Sequence, residues 1–184
     1  MAEFESPVLK EYPTGGGDLQ LADMSATTKL LVRSDLEQFG VGFGASAHVG
    51  EALVCGSRPG EWLLMGEAGD CAGAADRVNT GGFTNVIDHT HSRALFRLTG
   101  ARATSVLEKL CGLDWTDSMT PDGAVVSASV AKVNSDIIRN DTGIAGNATG
   151  GQPSYLIACD RSFGQYLFDV LMDAGTEFDL TVTS

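Results

Sequence analysis

Apolar residues recur along this chain in two rhythms. Between residues 102 and 112, Ala103, Val106, Leu107, Leu110 and Cys111 are spaced by three and one, the stripe of an amphipathic helix, and Gly112 supplies its stop. The same spacing after Asp160 sets Phe163, Tyr166, Leu167, Val170, Leu171 and Ala174 on one face, with Asp160 or Ser162 as N-cap and Gly175 past the end. The second rhythm has period two. Phe178, Leu180 and Val182 alternate with Glu177, Asp179, Thr181 and Thr183, predicting a C-terminal strand with one buried and one wet face. Further strand-like runs lie at 28–33, 51–56, 61–66, 83–88, 93–99, 125–130, 137–140 and 155–159, with helix-capable stretches at 34–39 and 70–78.

The order of these elements repeats. Leu21-Ala22-Asp23-Met24-Ser25 leads into a strand at 29–33, and 65 residues later Val86-Ile87-Asp88-His89-Thr90 leads into another at 94–98. Each half then reads strand, helix, two or three strands, helix, strand. That order lacks the strict alternation a parallel sheet needs. It predicts an α+β fold: one domain over 21–184, built from two pseudo-repeated halves (about 21–85 and 86–184) of mixed, mainly antiparallel sheet covered by helices. The Asp-x-Ser/Thr that opens each half is a hydrogen-bonded turn, in which carboxylate and hydroxyl satisfy backbone amides.

Outside the repeat, residues 1–20 carry Pro7, Pro13 and Gly15-Gly16-Gly17 and show neither period. Their scattered apolar side chains, Phe4, Val8, Leu9 and Tyr12, predict an extended arm that docks on a partner or on its own domain. Residues 142–153, rich in Gly, Ala, Asn and Thr, read as a mobile surface loop.

Charge narrows the functional field. The 184 residues set 12 Lys+Arg against 24 Asp+Glu, a net charge of −12, and a nucleic-acid binder needs a basic face. Every apolar run is far shorter than the roughly 20 residues of a membrane span. The acidic, polar N-terminus has no secretory pattern, so a cytoplasmic location is expected, and the glycosylation spellings Asn140-Asp141-Thr142 and Asn147-Ala148-Thr149 then carry no meaning. Cys55, Cys71, Cys111 and Cys159 form no CxxC pair and read as small buried hydrophobes.

Candidate chemistry is sparse. Asp88-His89-Thr90-His91-Ser92-Arg93 holds two of the three histidines, and a pair at i and i+2 on a strand shares one face and could bind a metal. No third ligand stands at motif spacing, and no Gly-x-Ser-x-Gly elbow supports a Ser-His-Asp triad. Gly40-Val41-Gly42-Phe43-Gly44 lacks both the Lys-Ser/Thr of a phosphate loop and the context of a dinucleotide fingerprint. No catalytic and no metal residue is therefore assigned. Asp136, heading the apolar Ile137-Ile138, reads as a turn carboxylate, with the orienting of an amine or pterin as the functional alternative.

The stretch Asp88-His89-Thr90-His91-Ser92-Arg93-Ala94-Leu95-Phe96-Arg97-Leu98-Thr99-Gly100, with Tyr155-Leu156-Ile157-Ala158-Cys159-Asp160-Arg161-Ser162-Phe163, resembles the gamma subunit of heterotetrameric sarcosine oxidases. That subunit is similar in turn to the folate-binding part of glycine-cleavage aminomethyltransferases, and Pro59-Gly60-Glu61-Trp62-Leu63-Leu64 looks like the same group. The resemblance implies a structural, non-catalytic subunit of a flavin amine oxidoreductase that demethylates sarcosine or a related N-methyl amino acid. FAD, FMN, NAD and tetrahydrofolate would sit in partner subunits, with none in this chain. Asp136 would match the transferase's pterin-facing carboxylate, but the asparagine and paired glycines that precede it in the family are missing. A stand-alone folate-binding protein or minimal aminomethyltransferase is the alternative. Under the subunit reading, the arm would bind a partner through Phe4, Val8, Leu9 and Tyr12.

Overall fold

The computed structural model describes residues 4–143 and 150–183. Half of the expected loop at 142–153, residues 144–149 with Asn147-Ala148-Thr149, lies outside the described residues.

Eleven strands and three α-helices are described, in two sheets. The first sheet holds β2 (Thr28–Ser34), β3 (Ser46–Val49), β4 (Ala52–Arg58), β5 (Glu61–Gly66) and β6 (Thr84–Asp88), in the order β3-β4-β5-β2-β6. The second holds β1 (Gln20–Asp23), β7 (Arg93–Thr99), β8 (Val125–Val130), β9 (Val133–Arg139), β10 (Ser154–Asp160) and β11 (Thr181–Thr183), in the order β11-β1-β7-β10-β9-β8. All pairings between these strands are antiparallel except β1 with β11. The helices are α1 (Ala68–Ala75), α2 (Ala103–Leu110) and α3 (Gly164–Gly175).

Set side by side, the sheets show the pseudo-repeat and an exchange within it. β3-β4-β5-β2 and β8-β9-β10-β7 have the same order, but the strand opening each half pairs in the sheet of the other: β1 on β7, and β6 on β2. The Asp-x-Ser/Thr turns make this crossing. Asp23 Oδ1 accepts the Ser25 amide at 2.9 Å, and Asp88 Oδ1 accepts the Thr90 amide at 2.8 Å. The hydroxyls then act across the halves: Ser25 Oγ accepts the Leu95 amide (3.0 Å) and Thr90 Oγ1 the Lys29 amide (3.1 Å). Each turn thereby satisfies a backbone donor of the other half's strand, which a buried amide requires.

Four layers result. On the outer face of the first sheet, Val32, Ala52, Val54, Trp62 and Leu64 pack with Cys71 and Ala74 of α1. Phe96, Leu98, Tyr155 and Ile157 of the second sheet pack against Val106 and Leu107 of α2 and Leu167, Phe168 and Leu171 of α3. Between the sheets lie Leu53, Cys55, Leu63 and Met65, facing Leu95, Val125, Ile138, Leu156 and Ala158. Strands covered on both faces need apolar residues at every position, which explains why β4, β5 and β10 read as continuous apolar runs. All four cysteines are buried and unpaired, and burial pushes the thiols of Cys55, Cys71 and Cys159 up. At the start of α2, Gly100 has φ +138, and a Cβ there would meet the Asp18 carbonyl oxygen at 2.2 Å.

Two expectations are corrected, and two strands were not foreseen. Residues 34–39, the counterpart of α2 in the first half, form turns, held by the Ser34 hydroxyl accepting from the Leu36 amide and the Gln38 side chain. The C-terminal strand is confined to Thr181–Thr183, because Thr176–Phe178 closes α3 as a 3-10 turn and Asp179 adopts a left-handed φ of 55°. β1 and the edge strand β3 carry too few alternating positions to stand out in the sequence.

The arm lies along its own domain. Tyr12 donates its hydroxyl to Asp169 on α3 and stacks on Phe168 at 5.0 Å, Pro7 sits over Gly164, and Val8 packs on the core. Burial, together with the Asp169 carboxylate, pushes the Tyr12 phenol up to about 12. Phe4 lies under the Arg161 guanidinium and 5.5 Å from the His91 ring, while Leu9 is 83% exposed.

Candidate functional site: a charged cleft between the sheets

At one end of the seam between the sheets the apolar filling gives way to a cleft of about 600 Å³. Period-two geometry selects its walls. β2 contributes Leu31 and Arg33, β5 Glu61 and Leu63, β8 Ser127 and Ser129, and β9 Asn134 and Asp136. Arg58 enters from the end of β4, where the register with β5 shifts, and Arg93 from the start of β7.

Asp136, only 1% exposed, is the inner anchor. Its Oδ2 accepts from Arg93 Nη1 at 2.7 Å; Oδ1 accepts from the Ser127 hydroxyl and lies 3.5 Å from Arg58 Nη2. Arg93 also donates to the Ala158 carbonyl at 2.9 Å, while its buried Nε has no partner among the described residues. Nearer the mouth, Glu61 pairs with Arg33 at 2.9 Å and with Arg58 at 3.6 Å. Asp136 is the buried counter-ion of Arg93, with each oxygen already accepting a hydrogen bond from another strand. The residues present do not fit a pterin-facing carboxylate.

The histidines do not act together. His89 and His91 lie in the turn between β6 and β7, not on a strand, where His89 lines the cleft and His91 faces Phe4 on the arm. His89 Nδ1 is 2.8 Å from the Ser92 hydroxyl. The Asp88 carboxylate is turned to the Thr90 amide, so no described hydrogen bond completes a triad. Burial, reinforced by Arg93 and Arg33, lowers the His89 pKa and favours its neutral form. Among the described residues no group of three His, Cys, Asp or Glu side chains could hold a metal ion, and no helix is long and apolar enough to cross a membrane.

A second feature lies on the surface. Phe43, Leu113 and Met119 line an open apolar groove of about 700 Å³ where the halves meet, bounded by Pro121 and Asp122. Phe43 is 69% and Met119 64% exposed. The backbone joins the halves here, with the Ser46 amide donating to the Gly123 carbonyl and the Val125 amide to that of Gly44.

Sequence reasoning singled out Asp136 as a turn carboxylate, whereas it lies inside β9, and it did not group Arg33, Arg58, Arg93 and Glu61 with it. The signal was present as charged residues set into otherwise apolar strands, though nothing in the sequence brings these strands together.

No family model and no curated protein matches the sequence. Solved structures match it in fold. A chain of the heterotetrameric sarcosine oxidase from Corynebacterium sp. U-96, solved in complex with pyrrole 2-carboxylate, superposes with a TM-score of 0.68 at 20% identity, the match covering 94% of this chain and 91% of that one. The glycine cleavage system aminomethyltransferase T from Bartonella henselae superposes with a TM-score of 0.62 at 17% identity, over 90% of this chain and 48% of that one. The chain thus spans about half the length of the transferase. Its two mixed, mainly antiparallel sheets with few helices are the fold that these neighbours share.

Proposed function

We propose that this chain is a gamma-type subunit of a sarcosine-oxidase-like flavin amine oxidoreductase, and that it serves assembly while its partners carry FAD, FMN, NAD and tetrahydrofolate. One observation carries the reading: end-to-end fold correspondence with a chain of a heterotetrameric oxidase that is of nearly the same length. The exposed groove of Phe43, Leu113 and Met119 supports it, since exposed apolar side chains clustered in a groove mark interaction sites. The occupant is another subunit, with an apolar projection to fill the groove and a basic residue to meet Asp122 in its wall. Phe4, Val8 and Tyr12 are engaged with the chain's own domain, which leaves Leu9 as the arm residue presented outward.

The alternative of a stand-alone folate-binding protein would need a carboxylate free to meet the pterin. In the structure Asp136 is held by Arg93, Ser127 and Arg58.

The test is a tagged chain isolated from its native cells and resolved by size exclusion. We expect flavin absorbance and sarcosine-dependent hydrogen peroxide formation to co-elute with it, and both to be lost from the tagged fraction for the double variant Phe43→Asp/Met119→Asp. A flavin-free monomer would overturn the proposal, and micromolar tetrahydrofolate binding by the isolated chain would promote the alternative.

A further inference from the structure

The inter-sheet cleft holds more cationic donor capacity than its own acids use. Arg33, Arg58 and Arg93 face it, against Glu61 and Asp136 in its interior; Asp160, the third acid of the lining, stands at the exposed rim. Both interior carboxylates are committed, Asp136 to Arg93, Ser127 and Arg58, and Glu61 to Arg33 and Arg58. Arg58 is the guanidinium left over. Its approaches to Asp136 and Glu61 are 3.5 and 3.6 Å, beyond good hydrogen-bond length, and none of its five N–H groups makes a hydrogen bond among the described residues. Its side chain is 51% exposed, so it reaches the opening.

We infer that this cleft binds a small organic monocarboxylate, its carboxylate taken by Arg58 with Arg33 beside it and its body lying over Leu31 and Leu63. A guanidinium fork recognises a planar carboxylate through two parallel hydrogen bonds. In the interior three guanidiniums face two carboxylates, so one negative charge balances the cation in excess there, while Asp160 at the rim brings the whole lining to three of each sign. Leu31 and Leu63 take an apolar body, and Ser129 and Asn134 offer hydrogen bonds to polar substituents. The cleft is lined mainly by polar and charged side chains, with Leu31 and Leu63 as its apolar contacts, and its volume of about 600 Å³ is within the range of small-molecule sites. This site does not depend on the assembly reading, and either can fail alone.

The experiment is a titration of the full-length chain with benzoate, followed by nuclear magnetic resonance at constant ionic strength, with benzamide as neutral isostere and inorganic phosphate as competing oxyanion. We expect saturable benzoate binding that perturbs cleft residues, with benzamide at least tenfold weaker. Arg58→Gln should weaken benzoate at least tenfold. Glu61→Gln, which releases Arg33 and Arg58 from their shared acid, should tighten it several-fold. Circular dichroism establishes that both variants keep the fold, and since Arg58 and Glu61 act in opposite directions, the second variant decides if the first is unstable. Equal binding of benzoate and benzamide, tighter binding of phosphate, or affinities unmoved by both substitutions would overturn the inference.

Discussion

Lys29 is fully buried on β2, where the halves cross, and its ammonium donates to the Ser25 and Thr27 carbonyls at 2.7 Å each. Burial lowers its pKa from 10.5 to about 8; Asp23 and Asp88 pull it upward, and Arg93 and Arg161 push it further down. The folded-state pKa therefore lies below the unfolded one. Below about pH 8 the folded chain carries the whole desolvation cost of the ammonium. As the pH rises from there towards 10.5, the unfolded chain binds more protons than the folded one, and stability from this group increases. Linkage gives a gain of about 1.4 kcal/mol between pH 7 and 9, and about 2.5 kcal/mol by pH 10. Thiols and phenols whose folded pKa values are raised act oppositely over the same range, so the observable is a difference between two proteins that share them. Urea unfolding of the natural chain and of Lys29→Met, at pH 7, 8, 9 and 10, should show the variant losing ground by those amounts. A stability difference that stays flat to within about 0.5 kcal/mol over this range would refute the buried-ammonium reasoning.

Asp136→Ala should cost about 3–5 kcal/mol by leaving Arg93 buried without its counter-ion, a fall of roughly 6–20 °C in Tm for a chain of this size. The double variant Arg93→Met/Asp136→Leu should recover most of that loss, and thermal melts in which the single variant is unchanged would remove Asp136 from its structural role. Leu107→Ala and Leu171→Ala, both at fully buried positions on the sheet-facing sides of α2 and α3, should each cost about 2–5 kcal/mol in denaturant unfolding. A chain starting at Asp18 should lose about 1–3 kcal/mol with the partly buried contacts of Val8 and Tyr12; calorimetry of the truncated chain decides.

Helices and strands with one dominant period were legible in the sequence because each follows from local geometry. α2 and α3 fall within two residues or so of where the spacing of Leu107 and Leu171 places them, and the Asp23 and Asp88 turns form the hydrogen bonds that their side chains suggest. Residues 34–39 show where that logic stops. Their composition permits a helix, but Gln38, bonded to Ser34, is held in a turn by Asn79, 41 residues further on, and tertiary contacts override a weak local preference. The arm shows the same limit, since nothing between Phe4 and Tyr12 reveals that Asp169 and Gly164 are waiting on α3.

The cleft follows from the exchange of β1 and β6, which explains why no motif announces it. The Asp23 and Asp88 turns pass each opening strand to the opposite sheet and hold the two sheets face to face. Along most of that seam, facing residues are apolar. At one end the inward positions are Arg33 and Glu61 on one sheet, and Arg93 and Asp136 on the other. A charge at an inward position is expensive alone and tolerable beside an opposite one, so these residues are explicable only as a set drawn from both halves. Ion pairing accounts for Arg93 with Asp136 and for Arg33 with Glu61. It leaves Arg58 at the mouth of the cleft, within ion-pair range of Glu61 and Asp136 but without a hydrogen bond among the described residues, and so free to turn its N–H groups to a ligand.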